Sequence, residues 1–110
     1  MEASDLEFLL GMVKDLDREL DKYLAGTSAP SEAVPQILGT CERMRTKDLS
    51  DAVKYWLQAI EHHAAEIANP RKRSGADSDF LASGGFLGIQ LLKDIYYLRT
   101  QLVSTRSAVK

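Results

Sequence analysis

Residues 49–67 read LSDAVKYWLQAIEHHAAEI, and Leu49, Val53, Trp56, Ile60, His63 and Ile67 recur there in alternating steps of four and three. That spacing is the seam of an α-helix that packs lengthwise against other helices. The same pattern appears twice more. Leu6, Leu9, Val13, Leu16, Leu20 and Tyr23 carry it near the start of the chain. Leu91, Ile95, Leu98, Leu102 and Val109 carry it near the end, with Gly84 and Gly88 continuing the series backwards. A shorter stripe of Val34, Ile37, Cys41 and Met44 lies between the first and second. Four such segments joined by short turns predict an all-α fold, an antiparallel up-down four-helix bundle in one domain over residues 1–110.

Local signals set the expected boundaries at about 5–25, 35–45, 48–68 and 79–106. Ser4 and Glu7 have the spacing of a capping box, and Gly26 suits a left-handed stop. Pro35 fits the first turn of a helix, where its missing N–H sacrifices no bond, so the second helix is expected to start there. Asp48 is the expected cap of the third helix, and Asn69-Pro70 its end. Gly84 and Gly85 raise the possibility of a break in the fourth, each costing about 0.8–1.0 kcal/mol against alanine. The core is expected to contain Leu16, Leu20, Trp56, Ile60, Leu91, Ile95 and Leu98.

Composition narrows the function. The chain has 110 residues, 45% hydrophobic, with 14 basic and 16 acidic side chains and a formal net charge of −2. Near balance leaves no global field to hold a polyanion or an anionic membrane. The acids cluster early, where Glu2, Asp5, Glu7, Asp15, Asp17, Glu19 and Asp21 stand against Lys14, Arg18 and Lys22. The basic groups Arg43, Arg45 and Lys47, and Arg71, Lys72 and Arg73, fall at opposite ends of the expected bundle and lack interleaved aromatics for base stacking. Nucleic-acid binding is therefore not expected. The least charged run, Phe80–Leu92, is shorter than the roughly 20 residues that cross a bilayer. A single cysteine, Cys41, excludes an intramolecular disulfide, and the acidic opening Met1-Glu2-Ala3-Ser4-Asp5 predicts no secretory leader. The expectation is a cytoplasmic protein without membrane contact.

Glu61-His62-His63-Ala64-Ala65-Glu66 is the main chemical candidate. His62 and Glu66, four apart, share a helix face, and His63 and Glu66, three apart, could approach one another. A metal centre in a bundle needs further ligands from facing helices, and no second histidine pair exists in the sequence. Adjacent residues diverge by about 100° around a helix, so His62 and His63 do not aim at one point. Glu66 would also repel an incoming phosphoryl group. No catalytic, cofactor-binding or metal-ligating residue is therefore assigned. A metal- or phosphate-handling enzyme built on His62, His63 and Glu66 is the alternative reading.

The fourth helix carries a second apolar stripe, Ile89, Leu92, Tyr96 and Val103, beside its seam. The first helix is also broad, with Phe8 and Met12 beside Leu9 and Leu10. Apolar residues on two sides of a helix imply burial on two sides, by its own bundle or by a second chain. The expected function is a non-enzymatic protein–protein interaction module of the adaptor, chaperone-like or immunity type. A homodimer is expected, with Phe8, Met12, Ile89, Leu92, Tyr96 and Val103 as candidate interface residues.

Overall fold

The computed structural model describes residues 3–68 and 84–108 of the chain. These residues form four helices, α1 (Ala3–Leu24), α2 (Pro30–Met44), α3 (Asp51–Ala68) and α4 (Gly84–Ala108). Contacts join α1 to α2, α2 to α3, α3 to α4 and α4 to α1, with none across the diagonals. This is the square of a four-helix bundle. Its antiparallel order shows in cross-helix pairs: Asp17 meets Arg99 and Leu24 meets Gly88, so α4 descends as α1 rises. His63 meets Asp94 and Trp56 meets Tyr97, giving the same relation between α3 and α4.

The core follows the seams. Leu9, Leu16 and Leu20 from α1, Ile37, Cys41 and Met44 from α2, and Leu91, Ile95, Leu98 and Leu102 from α4 are buried, as is Leu49 from the segment before α3. On α3 the seam differs from the sequence reading. Val53, Leu57, Ile60, Ala64 and Ile67 face inward. Trp56, expected to be fully buried, is only partly so and stacks on Tyr97 at 4.8 Å between centroids, with planes 19° apart. His63 is displaced in the same direction. Both are the alternative three-residue step beside Leu57 and Ala64, and they point to the α3–α4 edge. The large indole is accommodated there by a neighbouring ring, where the centre of the bundle takes the smaller Leu57.

Helix ends explain two further corrections. α2 begins at Pro30, not Pro35: Ala29 is extended (φ −73°, ψ 157°) and its carbonyl accepts the N–H groups of Glu32 and Ala33, each at 2.9 Å. Pro30 thus occupies the favourable first position, and Pro35 sits inside the helix on its exposed side. An interior proline costs about 3 kcal/mol. The extra turn buries Ala33 and Val34, and a buried valine alone contributes roughly 1.5–3 kcal/mol. α3 is capped by Ser50, not Asp48, since the Val53 N–H donates to the Ser50 hydroxyl at 3.3 Å. The chain from Arg45 to Ser50 stays outside the helix and places Leu49 in the core.

Ser4 lies within α1, so it does not cap the helix at the expected place. The start of the fourth helix at 79, the Asn69-Pro70 stop, Arg71, Lys72, Arg73 and Val109 all fall outside the described residues. From Gly84 to Ala108 α4 is one helix, and the expected break near Gly84-Gly85 lies at the edge of the described residues. Gly88 lets α1 approach closely: a Cβ there would stand 2.6 Å from Leu24 Cδ2.

Gly26 ends α1 with φ +79°. Its N–H donates to the Tyr23 carbonyl at 3.1 Å, and the Thr27 N–H to that of Lys22 at 2.9 Å. This pair of bonds defines the Schellman stop. Gly26→Ala is therefore expected to lower the unfolding free energy by about 1–2 kcal/mol, the cost of a left-handed L-residue. Urea denaturation checks it, and an unchanged midpoint would mean that the stop does not depend on this conformation.

Candidate functional site

The α3–α4 edge gathers the polar and aromatic side chains that the seam rejects. Asp94 comes from the inner side of α4, between Leu91 and Leu98, and is only 3% exposed. A carboxylate can only accept, so His63 Nδ1–H donates to Asp94 Oδ2, at 2.5 Å. Burial pushes the Asp94 carboxyl above its usual value, while the hydrogen bond and charge of His63, then Lys93 and His62, pull it back. The pair satisfies a group that would otherwise be costly to bury. With Nδ1 engaged, only Nε2 of His63 remains to take a proton or a ligand. A carboxylate fixing one imidazole nitrogen in this way orients bases and metal ligands alike.

His62 takes a different partner: its Nε2 lies 3.2 Å from Glu66 Oε1, on the exposed side of α3. The three residues singled out by the sequence therefore divide, with His62 and Glu66 paired locally and His63 turned to α4. Among the described residues, no group of three or more His, Cys, Asp or Glu side chains is placed to hold a metal ion. Above the pair opens a shallow cleft of about 310 Å³ lined by Tyr55, Gln58, Ala59, His62 and His63.

Aromatic rings continue from this cleft across the edge. Tyr55 meets Trp56 edge-on at 4.9 Å, Trp56 stacks on Tyr97, and Tyr97 meets Tyr96 edge-on at 5.5 Å. Tyr96 then joins the outer stripe of α4, where Ile89, Leu92, Tyr96 and Val103 are all exposed, Ile89 and Tyr96 by 60%. The two candidates on α1 behave differently. Phe8 is at the margin of exposure with the Lys47 ammonium 5.0 Å from its ring centre, and Met12 packs partly buried against the core.

The basic side chains near the α2–α3 connection are engaged. Arg45 forms a bidentate pair with Glu61, its Nε at 3.3 Å from Oε2. Lys47 lies 3.4 Å from Asp5, and Arg43 donates to the Thr40 hydroxyl. Cys41 is fully buried, and burial pushes its thiol up to about 12, too high for a nucleophile. Among the described residues, no helix is long and apolar enough to cross a membrane.

Sequence reasoning missed Asp94, Tyr97 and Leu57. Asp94 had a readable signal: it stands three residues after Leu91 and four before Leu98, a core-facing place for an acid. An acid at a core-facing place and a histidine beside the seam of the facing helix are natural partners. No protein-family model, curated protein or solved structure matches the chain.

Proposed function

We propose that this chain is a non-enzymatic protein-interaction module that works as a homodimer, docking through the outer side of α4. The observation that carries this reading is that α4 is apolar on two sides. Leu91, Ile95, Leu98 and Leu102 fill the bundle core, while Ile89, Leu92 and Tyr96 stand 60%, 47% and 60% exposed along the outer side. Isolated apolar residues are ordinary on a protein surface, but a stripe along one helix marks an interaction site. Adaptor, chaperone-like and immunity roles are all compatible with such a stripe. Among the described residues, the charged partners that nucleic acid or an anionic membrane would require are sparse on this side, where Lys93 stands beside the stripe. A buried, unreactive thiol at Cys41 fits work in the reducing cytoplasm.

Light scattering of the purified protein is expected to give the mass of a dimer. Leu92→Glu places a charge in the centre of the stripe and is expected to give a monomer with unchanged helicity. A monomer for the unsubstituted protein at high concentration would overturn the reading.

A further inference from the structure

Resting on that reading, we infer that the docking face extends beyond α4, across the α3–α4 edge to Tyr55, and that a second copy of this chain covers it about a two-fold axis running along the bundle. Three observations carry the extension. The first is the unbroken chain of ring contacts from Tyr55 through Trp56 and Tyr97 to Tyr96, with Tyr55 63% and Tyr96 60% exposed. Tyrosine and tryptophan give large contact area at small entropic cost and dominate the centres of interfaces. The ring chain joins the Ile89–Leu92 stripe without interruption, so one face contains both.

The second observation is the distribution of charge. Along the side of α3 that adjoins α4, Tyr55, Trp56, Ala59, His62 and His63 include no Asp, Glu, Lys or Arg. Glu66 closes this stretch at one end, and Lys93 is the cation beside the stripe on α4. Arg99, the next cation on α4, is drawn to the other side by Asp17. Charge-depleted centres are what buried interfaces have, whereas α1 carries charges along most of its outer surface.

The third observation selects the occupant. Glu66 stands three residues beyond His63, and Lys93 is next to Asp94, the partner of His63. At about 1.5 Å per residue, Glu66 and Lys93 lie within roughly one helical turn of the same height along the bundle. They are not paired with each other: Glu66 meets His62, and Lys93 lies 6.0 Å from the Tyr97 ring centre. A two-fold axis parallel to the helices preserves height and exchanges sides. It sets α4 of one copy against α3 of the other, so each Lys93 faces the second copy's Glu66, twice per dimer. The same operation lays Tyr55 on the Tyr96–Val103 stretch. The face is thus complementary to itself in charge and in apolar character, as an isologous interface requires.

The test uses two variants of the full chain, Lys93→Glu and Glu66→Lys, with circular dichroism confirming that both fold. Each alone places like charges opposite one another twice per dimer, and self-association is expected to weaken by about tenfold or more. Mixed one to one, the two variants restore both opposite-charge pairs, and sedimentation is expected to recover the dimer as a heterodimer. Tyr55→Ser, outside the α4 stripe, is expected to weaken the unsubstituted dimer to a similar degree. Variants that dimerise alone as well as the unsubstituted protein, or a mixture that stays monomeric, would overturn this arrangement and leave self-association through α4 standing. So would a Tyr55→Ser dimer of full strength. A monomer for the unsubstituted chain would remove both this inference and the reading beneath it.

Discussion

Leu57→Ala and Ile60→Ala are each expected to lower the unfolding free energy by about 2–5 kcal/mol, the usual cost of cutting a large aliphatic side chain out of a packed core. Both side chains are completely buried. A domain of this size holds only about 5–15 kcal/mol in total, so either variant should show a sharply lower urea midpoint with a similar slope. Leu57 is the more informative of the two. It belongs to the inward row Val53, Leu57, Ile60, Ala64 and Ile67, and it is absent from the row through Trp56 and His63 that the raw spacing suggests. Trp56 and Leu57, like His63 and Ala64, stand about 100° apart around the helix. Because Val53, Ile60 and Ile67 belong to both rows, the rows as a whole differ by roughly 40° of rotation. A Leu57→Ala variant with an unchanged midpoint would restore the Trp56 row to the core and remove the α3–α4 edge as described.

The bundle itself was legible because hydrophobic spacing repeats over several turns. Leu6, Leu9, Val13, Leu16 and Leu20 are all buried, as are Leu91, Ile95, Leu98 and Leu102. Gly26 was legible for a different reason: few residues other than glycine reach φ +79° without strain. α3 was harder because Trp56-Leu57 and His63-Ala64 offer an apolar or aromatic residue at both neighbouring positions. Periodicity then cannot choose the row, and packing volume decides it. α2 was misread at its start because either proline could stand first. The choice of Pro30 depends on burying Ala33 and Val34, a tertiary effect that no local rule contains.

The site was less legible than the fold. His62, His63 and Glu66 attract notice because they are adjacent in sequence, yet the structure pairs His63 with a residue 31 positions away. The apolar stripe on α4 was visible as Ile89, Leu92 and Tyr96. Its continuation through Tyr97, Trp56 and Tyr55 was not, because a face shared by two helices requires the rotation of both to be known.

The second large effect is expected at that buried pair. His63→Ala removes the partner of a carboxylate that is 3% exposed. Deleting one member of a buried ion pair typically costs about 3–5 kcal/mol, because the remaining charge is left uncompensated. The low end applies here, since the His63 side chain is 23% exposed and its removal opens a route for water from the cleft. The dependence on pH separates this cause from lost packing. Burial holds the Asp94 carboxyl above its ordinary value, and the largest opposing influence is His63. Removing His63 therefore raises it further. A group that binds its proton more tightly in the folded state favours folding below its unfolded pKa, about 3.9 for aspartate. That advantage is lost as pH rises through the folded value. The deficit of His63→Ala against the unsubstituted protein should accordingly be smallest near pH 4 and grow toward pH 7. The paired change His63→Leu with Asp94→Leu removes both polar groups and is expected to be neutral or stabilising. Denaturant titrations of the three proteins between pH 4 and pH 7 decide the matter. A deficit independent of pH would mean that His63 acts through packing alone and that Asp94 is not the charge it holds.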